Sequence, residues 1–338
     1  MSEYVLDVRN LTIAIERRGR TTTVVRDVSF AVRPGDALGI VGESGCGKSM
    51  TLRALLGILP RGARLTSGSV WFEGRCVVRD GVDNGLAALR GGGIGLVFQD
   101  ATSALNPVMR IGNQISEGLR RHADVGRRAS HLAAVDTLRS LGFPAPERQQ
   151  RQFPHELSGG MRQRAMIGMT TSCKPRVLLC DEPTTALDVT TQLRVLRLID
   201  SIRKATGTAL VFVSHDLGVI AEICSQVAVM YQGQFVERGP TDELFATPMH
   251  PYTHGLLGAV PDIDAPDPRL FAIPGDGAAA NANISGCPFH PRCPLAVEAC
   301  GSGEFPLVTV GGADRETACI RSADVTGLHR RRDEGADD

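Results

Sequence analysis

The 338-residue sequence predicts an α/β fold, a mainly parallel sheet with a helical insertion near residues 110–160. Three patterns predict it. Short apolar runs, Val177–Cys180 and Ala209–Val213 among them, have the length of buried strands. Stretches of helical spacing fall between them, and strands that alternate with helices build parallel sheets. One run, Asp36–Val41, passes through a glycine-rich turn straight into an apolar helix. The composition, 42% hydrophobic and 22% charged, is that of a globular protein, and the length allows one large domain plus an appendage or two small domains.

Residues 4–8 and 24–32 read as short strands separated by polar turns. The buried strand Asp36–Val41 follows, and the helix after it runs from about Lys48 to Leu59. Strand-like segments recur at Ser69–Phe72, Ile94–Phe98, Val177–Cys180, Ala209–Val213, Val227–Met230 and Gln234–Glu237. From Ile111 to Leu141 the spacing turns helical, with apolar residues at Ile111, Ile115 and Leu119, then Leu132, Val135 and Leu138. Further helices are expected at Met161–Thr171, Val189–Lys204 and Leu217–Ile223. No period of roughly 20–50 residues repeats, which argues against solenoids and propellers. Proline, glycine, alanine and aspartate dominate from Pro261 to Asn283, a linker composition, and residues 326–338 read as a disordered tail.

Lysine plus arginine and aspartate plus glutamate number 37 each, so no net field favours nucleic acid or an anionic membrane surface. Only Lys48, Lys174 and Lys204 are lysine. The N-terminus, MSEYVLDVRN, is charged and lacks the apolar core of a secretory signal. No stretch reaches the roughly 18–20 apolar residues that span a bilayer. The expectation is a cytoplasmic chain with reduced thiols. Cys46, Cys76, Cys173, Cys180 and Cys224 are scattered and expected to pack as small buried groups.

Gly42-Glu43-Ser44-Gly45-Cys46-Gly47-Lys48-Ser49 fits the phosphate-loop pattern between a strand and a helix. Glycines let backbone amides approach phosphate oxygens closely. Lys48 would reach the β- and γ-phosphates, and the Ser49 hydroxyl would ligate Mg²⁺. Val177–Cys180 leads into Asp181 and Glu182, which puts two carboxylates at a strand end. Asp181 would hold the metal, and Glu182 would polarise the attacking water.

Leu157-Ser158-Gly159-Gly160-Met161-Arg162-Gln163-Arg164 precedes that strand by about one helix. It resembles the signature motif of ABC ATPases. The resemblance implies that Ser158, Gly159 and Gly160 serve the γ-phosphate bound by an opposite subunit, so that ATP is sandwiched in a head-to-tail dimer. Three more matches follow the family's order. Gln99 resembles the Q-loop glutamine that senses Mg²⁺ and water, Asp188 the D-loop residue that touches the partner, and His215 the switch histidine at the γ-phosphate. The family's early aromatic residue for adenine has no counterpart near Thr22 and Thr23, so two readings stand: Arg17 or Arg18 stacks on the base, or adenine is held loosely.

Phe98-Gln99-Asp100, Ser103-Ala104-Leu105-Asn106-Pro107, Pro154-His155-Glu156 and His250-Pro251-Tyr252-Thr253 are similar to the dipeptide and oligopeptide importer branch, as is Cys287-Pro288-Phe289-His290-Pro291-Arg292-Cys293-Pro294. The similarity runs from about residue 4 to about 320. It implies a phosphate-loop NTPase core of the ABC type over 1–260, with a helical subdomain at about 100–170 and a cysteine-rich extension over 261–325. It also implies a second ABC ATPase subunit, two membrane-spanning permease subunits and an extracytoplasmic solute-binding protein. The chain would then sit peripherally on the cytoplasmic face of the membrane. Its permease contacts would lie at about Asp100–Gly142. Nickel, glutathione or other small solutes are alternative cargoes. A soluble ABC ATPase of DNA repair or ribosomes is the rival, but the sequence has neither a long coiled-coil insertion nor a second ATPase domain.

Cys287, Cys293, Cys300 and Cys319 are spaced x5, x6 and x18, unlike the C-x2-C pairs of common zinc sites. Three readings stand: a [4Fe–4S] cluster on four thiolates, as the resemblance implies; zinc, with His290 replacing one thiol; or unligated cysteines and regulatory disulfides. In either metal reading the role is structural, because a Pro- and Gly-rich segment buries little apolar surface.

Overall fold

The computed structural model describes residues 3–185, 187–259, 273–275, 285–311 and 314–325. Most of the expected linker Pro261–Asn283, the tail 326–338 and Ala186 lie outside the described residues. The chain opens with β1 (Leu6–Arg17), β2 (Arg20–Val32), β3 (Ala37–Val41) and α1 (Lys48–Ala54). There follow β4 (Ala63–Phe72), β5 (Arg75–Arg79), β6 (Val82–Asp83), α2 (Leu86–Leu89) and β7 (Ile94–Val97). A helical stretch comprises α3 (Ala101–Ala104), α4 (Ile111–His122), α5 (Arg127–Ser140), α6 (Pro146–Gln149) and α7 (Gly159–Thr171). Alternation resumes with β8 (Val177–Asp181), α8 (Val189–Thr206), β9 (Ala209–Val213), α9 (Leu217–Ile223), β10 (Gln226–Tyr231) and β11 (Gln234–Pro240). Helices α10 (Thr241–Ala246) and α11 (Pro251–Gly258) and the short strands β12 (Val308–Thr309) and β13 (Glu316–Thr317) come last.

Two sheets result. The larger has the order β12-β13-β11-β10-β3-β9-β8-β7, and β10 through β7 pair in parallel. The smaller, β2-β1-β4-β5-β6, is antiparallel. Strands β3, β8 and β9 are buried at every position, the mark of parallel strands covered on both faces. Their side chains alternate between two cores. Leu178, Cys180, Leu210 and Phe212 meet the helices, while Val177, Leu179, Ala209, Val211 and Val213 meet the antiparallel sheet.

The first two strands run longer than the expected segments 4–8 and 24–32: Leu11, Ile13 and Ala14 extend the buried row of β1, and the hairpin reaches Arg17 opposite Arg20. Arg18 (φ 49°) and Gly19 (φ 75°) close it with two left-handed residues, the turn whose twist matches paired strands. In the helical stretch Ile111, Ile115 and Leu119 are buried as their spacing predicts, and so are Val135 and Leu138. Leu132 is 61% exposed. Six residues turn a helix by about 600°, which leaves Leu132 about 120° away from Leu138; Ala134 and Leu141 fill that face instead.

The sequence contained no sign of β12 and β13. Strand β13 adds to the main sheet by pairing Glu237 with Thr317 and Arg238 with Glu316. Beside it a buried acid ties three segments together. Glu237, 1% exposed, accepts the Met249 amide at 2.8 Å and the His250 amide at 3.0 Å, and lies 3.3 Å from Arg315. Burial pushes its carboxyl up, and the two amides and Arg315 pull it back. Glu237→Ala would strand two amides and a guanidinium, so equilibrium urea unfolding should show a loss of about 3–5 kcal/mol.

Candidate functional site

Strand β3 feeds directly into the loop Gly42–Ser49. Two of its glycines are required by close approach. Gly42 has φ 153°, and a Cβ there would lie 2.1 Å from the Met230 carbonyl oxygen; Gly47 has φ 112°, and its Cβ would lie 2.8 Å from the Val24 carbonyl oxygen. Lys48 is 4% exposed. Its Nζ donates to the carbonyls of Gly42 (2.7 Å) and Glu43 (3.0 Å), so the ammonium is folded toward the loop. The Cys46 amide donates to the Glu43 carbonyl, and burial raises the Cys46 thiol above its usual range.

The remaining groups hang from the carboxyl ends of neighbouring parallel strands, where open α/β sheets place their ligand sites. Ser49 Oγ donates to Asp181 Oδ1 at 2.6 Å, which brings the loop hydroxyl and the end of β8 into contact. Burial raises the Asp181 carboxyl, and the Ser49 hydrogen bond opposes that shift. A hydroxyl beside a carboxylate is a hard-oxygen pair that fits Mg²⁺. Glu182 follows with φ 46°, and its amide donates to the Val213 carbonyl at 3.0 Å. Three side chains converge on Glu182 Oε2: Thr185 Oγ1 at 3.0 Å, His215 Nδ1 at 3.1 Å and Gln99 Nε2 at 3.5 Å. Gln99 comes just after β7 and His215 just after β9, so three adjacent strands build one constellation.

Ser158, Gly159, Gly160 and Asp188 form a different patch. Ser158 caps α7 by accepting the Met161 amide, and Asp188 caps α8 by accepting the Thr191 amide at 3.0 Å. That backbone hydrogen bond holds the Asp188 carboxyl below its usual range. A Cβ on Gly160 would lie 2.9 Å from Thr191 Cγ2, so the two caps are neighbours. Ser158, Gly159 and Asp188 are exposed, as are Val189 (74%) and Leu193 (38%). Buried Gln163 donates through Nε2 to the Pro183 carbonyl, which connects α7 to the turn after Glu182.

Sequence reading gave no role to Thr185, Gln163, Tyr252 or Arg292, although the last three stand within quoted motifs. Thr185 and Gln163 lie within or next to matched motifs, but their targets depend on how two helices meet the turn. Tyr252 Oη accepts the Glu43 amide at 2.8 Å, and the Arg292 guanidinium pairs with the Glu43 carboxylate. No local pattern could announce contacts between residues so far apart in the chain.

Cys287, Cys293, Cys300 and Cys319 line one cavity of about 10 Å³ with Phe289 and His290. The Cys287 amide donates to the Cys300 carbonyl at 2.9 Å, and Gly286 (φ 87°) would place a Cβ 2.4 Å from that same oxygen. Burial pushes the Cys293 thiol up to about 11 and the Cys319 thiol up to about 12, and the neighbouring thiols push the same way. Among the described residues no three His, Cys, Asp or Glu side chains are placed to hold a metal ion, which gives no support to the iron–sulfur or the zinc reading. Four thiols are the donor set a thiolate-bound centre would use, but they are not placed to form one. The cavity as it stands has room for little more than a water.

Among the described residues no helix is long and apolar enough to cross a membrane. The family described as "ABC transporter" matches residues 25–185, and "Oligopeptide/dipeptide transporter, C-terminal region" matches residues 236–300. The chain is 42% identical to a "Probable peptide ABC transporter ATP-binding protein" of Sinorhizobium fredii, over 97% of this chain and 98% of that protein. It is 43% identical to the "Oligopeptide transport ATP-binding protein OppD" of Mycobacterium tuberculosis, over 96% of this chain but 53% of that protein, so it spans about half the length of this relative. In structure it is similar to cbiO1 of Clostridium perfringens, part of the ABC transporter complex cbiONQ, with a TM-score of 0.61 and 26% identity over 72% of this chain and 92% of that one. The two family matches and the near-full-length relative together show that the chain belongs to the ATP-binding proteins of the ABC transporter family, in its oligopeptide/dipeptide branch.

Proposed function

We propose that the chain hydrolyses ATP to drive peptide import through separate membrane subunits. The convergence of Gln99, Thr185 and His215 on Glu182, beside the Ser49–Asp181 contact, carries the reading. The phosphate loop 42–49 binds the triphosphate, and Lys48 exchanges its loop carbonyls for phosphate oxygens. Ser49, Asp181 and Gln99 hold Mg²⁺, which neutralises charge on the β- and γ-phosphates when bound. Glu182 Oε2 accepts a proton from the attacking water. His215 and Gln99 orient that carboxylate and sense the γ-phosphate. Glu182→Gln should retain ATP binding and slow hydrolysis by on the order of 10²–10⁴, measured as phosphate release by the assembled transporter. Near-normal turnover would place the chemistry elsewhere.

The exposed caps support a composite site in which Ser158, Gly159, Gly160 and Asp188 face a second ATPase subunit. Val189 and Leu193 give that face apolar area to bury. Ser158→Arg should leave ATP affinity of the isolated chain intact and suppress dimerisation and coupled hydrolysis; loss of affinity in the monomer would sink the head-to-tail arrangement. For the two permease subunits, a groove of about 390 Å³ between the helical stretch and the main sheet offers a seat, lined in part by Phe98, Gln114, Glu117 and Arg121. An extracytoplasmic binding protein completes the importer. Copurification from solubilised membranes, followed by uptake of labelled peptides against nickel and glutathione, tests partners and cargo together.

The same reading gives Cys287, Cys293, Cys300 and Cys319 one [4Fe–4S] cluster of structural role. Support comes from four thiols on one cavity in a segment with little apolar core. Protein purified without oxygen should be brown, with iron and acid-labile sulfide at about four each per chain. Colourless protein with one zinc would replace the cluster by zinc, and metal-free protein with an ordered segment would remove both.

A further inference from the structure

Arg292 stands between Cys287 and Cys293, yet its guanidinium reaches the phosphate loop. Nη1 donates to Glu43 Oε2 at 2.9 Å and Nη2 to Glu43 Oε1 at 3.0 Å, a bidentate pair. The Arg292 side chain is 8% exposed and that of Glu43 28%. Other contacts fix the guanidinium in place. Nε donates to the Pro274 carbonyl at 2.7 Å, Nη1 lies 3.3 Å from Tyr231 Oη, and the group sits over the Tyr231 ring at 5.8 Å. From the other side, Tyr252 Oη holds the Glu43 amide at 2.8 Å. Glu43 is therefore gripped at backbone and carboxylate by residues from outside its loop.

An acid in this position works against the loop. The Glu43 carbonyl is 3.0 Å from Lys48 Nζ, so its carboxylate belongs to the same short loop that must receive a polyanion. Like charges at such a half-buried site are poorly screened by salt. Arginine's planar fork both neutralises a carboxylate and fixes its direction.

We propose that Arg292 is a positioning residue for the phosphate loop: by pairing with Glu43 it removes an acidic charge from the nucleotide site and makes ATP affinity depend on the cysteine-bearing segment. This rests on the reading of residues 42–49 as the nucleotide site.

Equilibrium binding of MgATP to the full chain, with thermal melting as a check on folding, tests both. Arg292→Ala should weaken binding on the order of 5- to 150-fold, the range of ordinary coupling between sites. Arg292→Lys should recover part of the loss, since lysine restores the charge without the fork. Against the affinity of Glu43→Gln alone, whatever its value, adding Arg292→Ala should cost little. A residue that merely braced the C-terminal segment would behave differently, because the contacts to Tyr231 and Pro274 are lost in either background. Equal losses with and without Glu43→Gln overturn the proposal, as does unchanged affinity in folded Arg292→Ala. If Arg292→Ala does not fold, Arg292→Lys carries the same comparison: a deficit present with Glu43 and absent with Glu43→Gln supports the proposal, and an equal deficit in both defeats it. Undiminished affinity in Lys48→Ala would overturn the nucleotide-site reading itself, and the proposal with it.

Discussion

Strands β3, β8 and β9 are apolar on both faces, and a sheet of such strands must be covered twice. Alternation sends Leu178, Cys180, Leu210 and Phe212 to one side and Val177, Leu179, Val211 and Val213 to the other. The helices cover the first side and the antiparallel sheet the second. Because the strands run parallel, their carboxyl ends share one edge. Gln99, Asp181, Glu182, His215 and the phosphate loop meet at that edge for this reason alone. A slip of one residue in β8 would exchange the two cores and carry Glu182 away from His215 and Gln99. Packing and chemistry thus rest on the same register.

At that edge the backbone departs from ordinary conformations. Glu182 takes a left-handed φ of 46°, and Gly42 and Gly47 occupy positions where any Cβ would strike a carbonyl. Such conformations persist only where the surroundings over-determine them. For Glu182 the surroundings are the Val213 carbonyl on its amide and the side chains of Thr185, His215 and Gln99 on its carboxylate. The buried Gln163–Pro183 contact ties that same turn to α7, whose first residues are exposed. The contact joins the exposed start of α7 to the turn that follows Glu182.

The C-terminal segment is bound to the core by several kinds of contact. Strand β13 lengthens the main sheet, and Arg315 joins the buried Glu237. Phe289 is 2% exposed and packs against Tyr231 and Tyr252, with ring centroids at 5.2 and 5.4 Å. These rings add apolar contact to a segment whose proline and glycine content supplies little. The same cluster brings Tyr252 and Arg292 to Glu43, so the segment's anchoring and its reach toward the phosphate loop share one set of side chains.

The sequence by itself determined the parallel α/β core, since β8, β9 and α9 follow from apolar run length and periodicity within a residue. It also showed the order of the site motifs, because glycines before Lys48 and carboxylates after an apolar strand are local patterns. Boundaries failed in β1, where Leu11, Ile13 and Ala14 are buried but register shifts against β2 break the strict alternation that marks a strand. A 3-residue spacing misassigned Leu132, since a helix turns every 3.6 residues. Only the tertiary structure decided that β12 and β13 exist, that four thiols share one cavity without forming a single-ion site, and that Arg292 holds Glu43. Each of these depends on segments distant in the chain being brought together by packing. A periodic pattern reports which face of an element is buried, but not which remote side chain will lie against it.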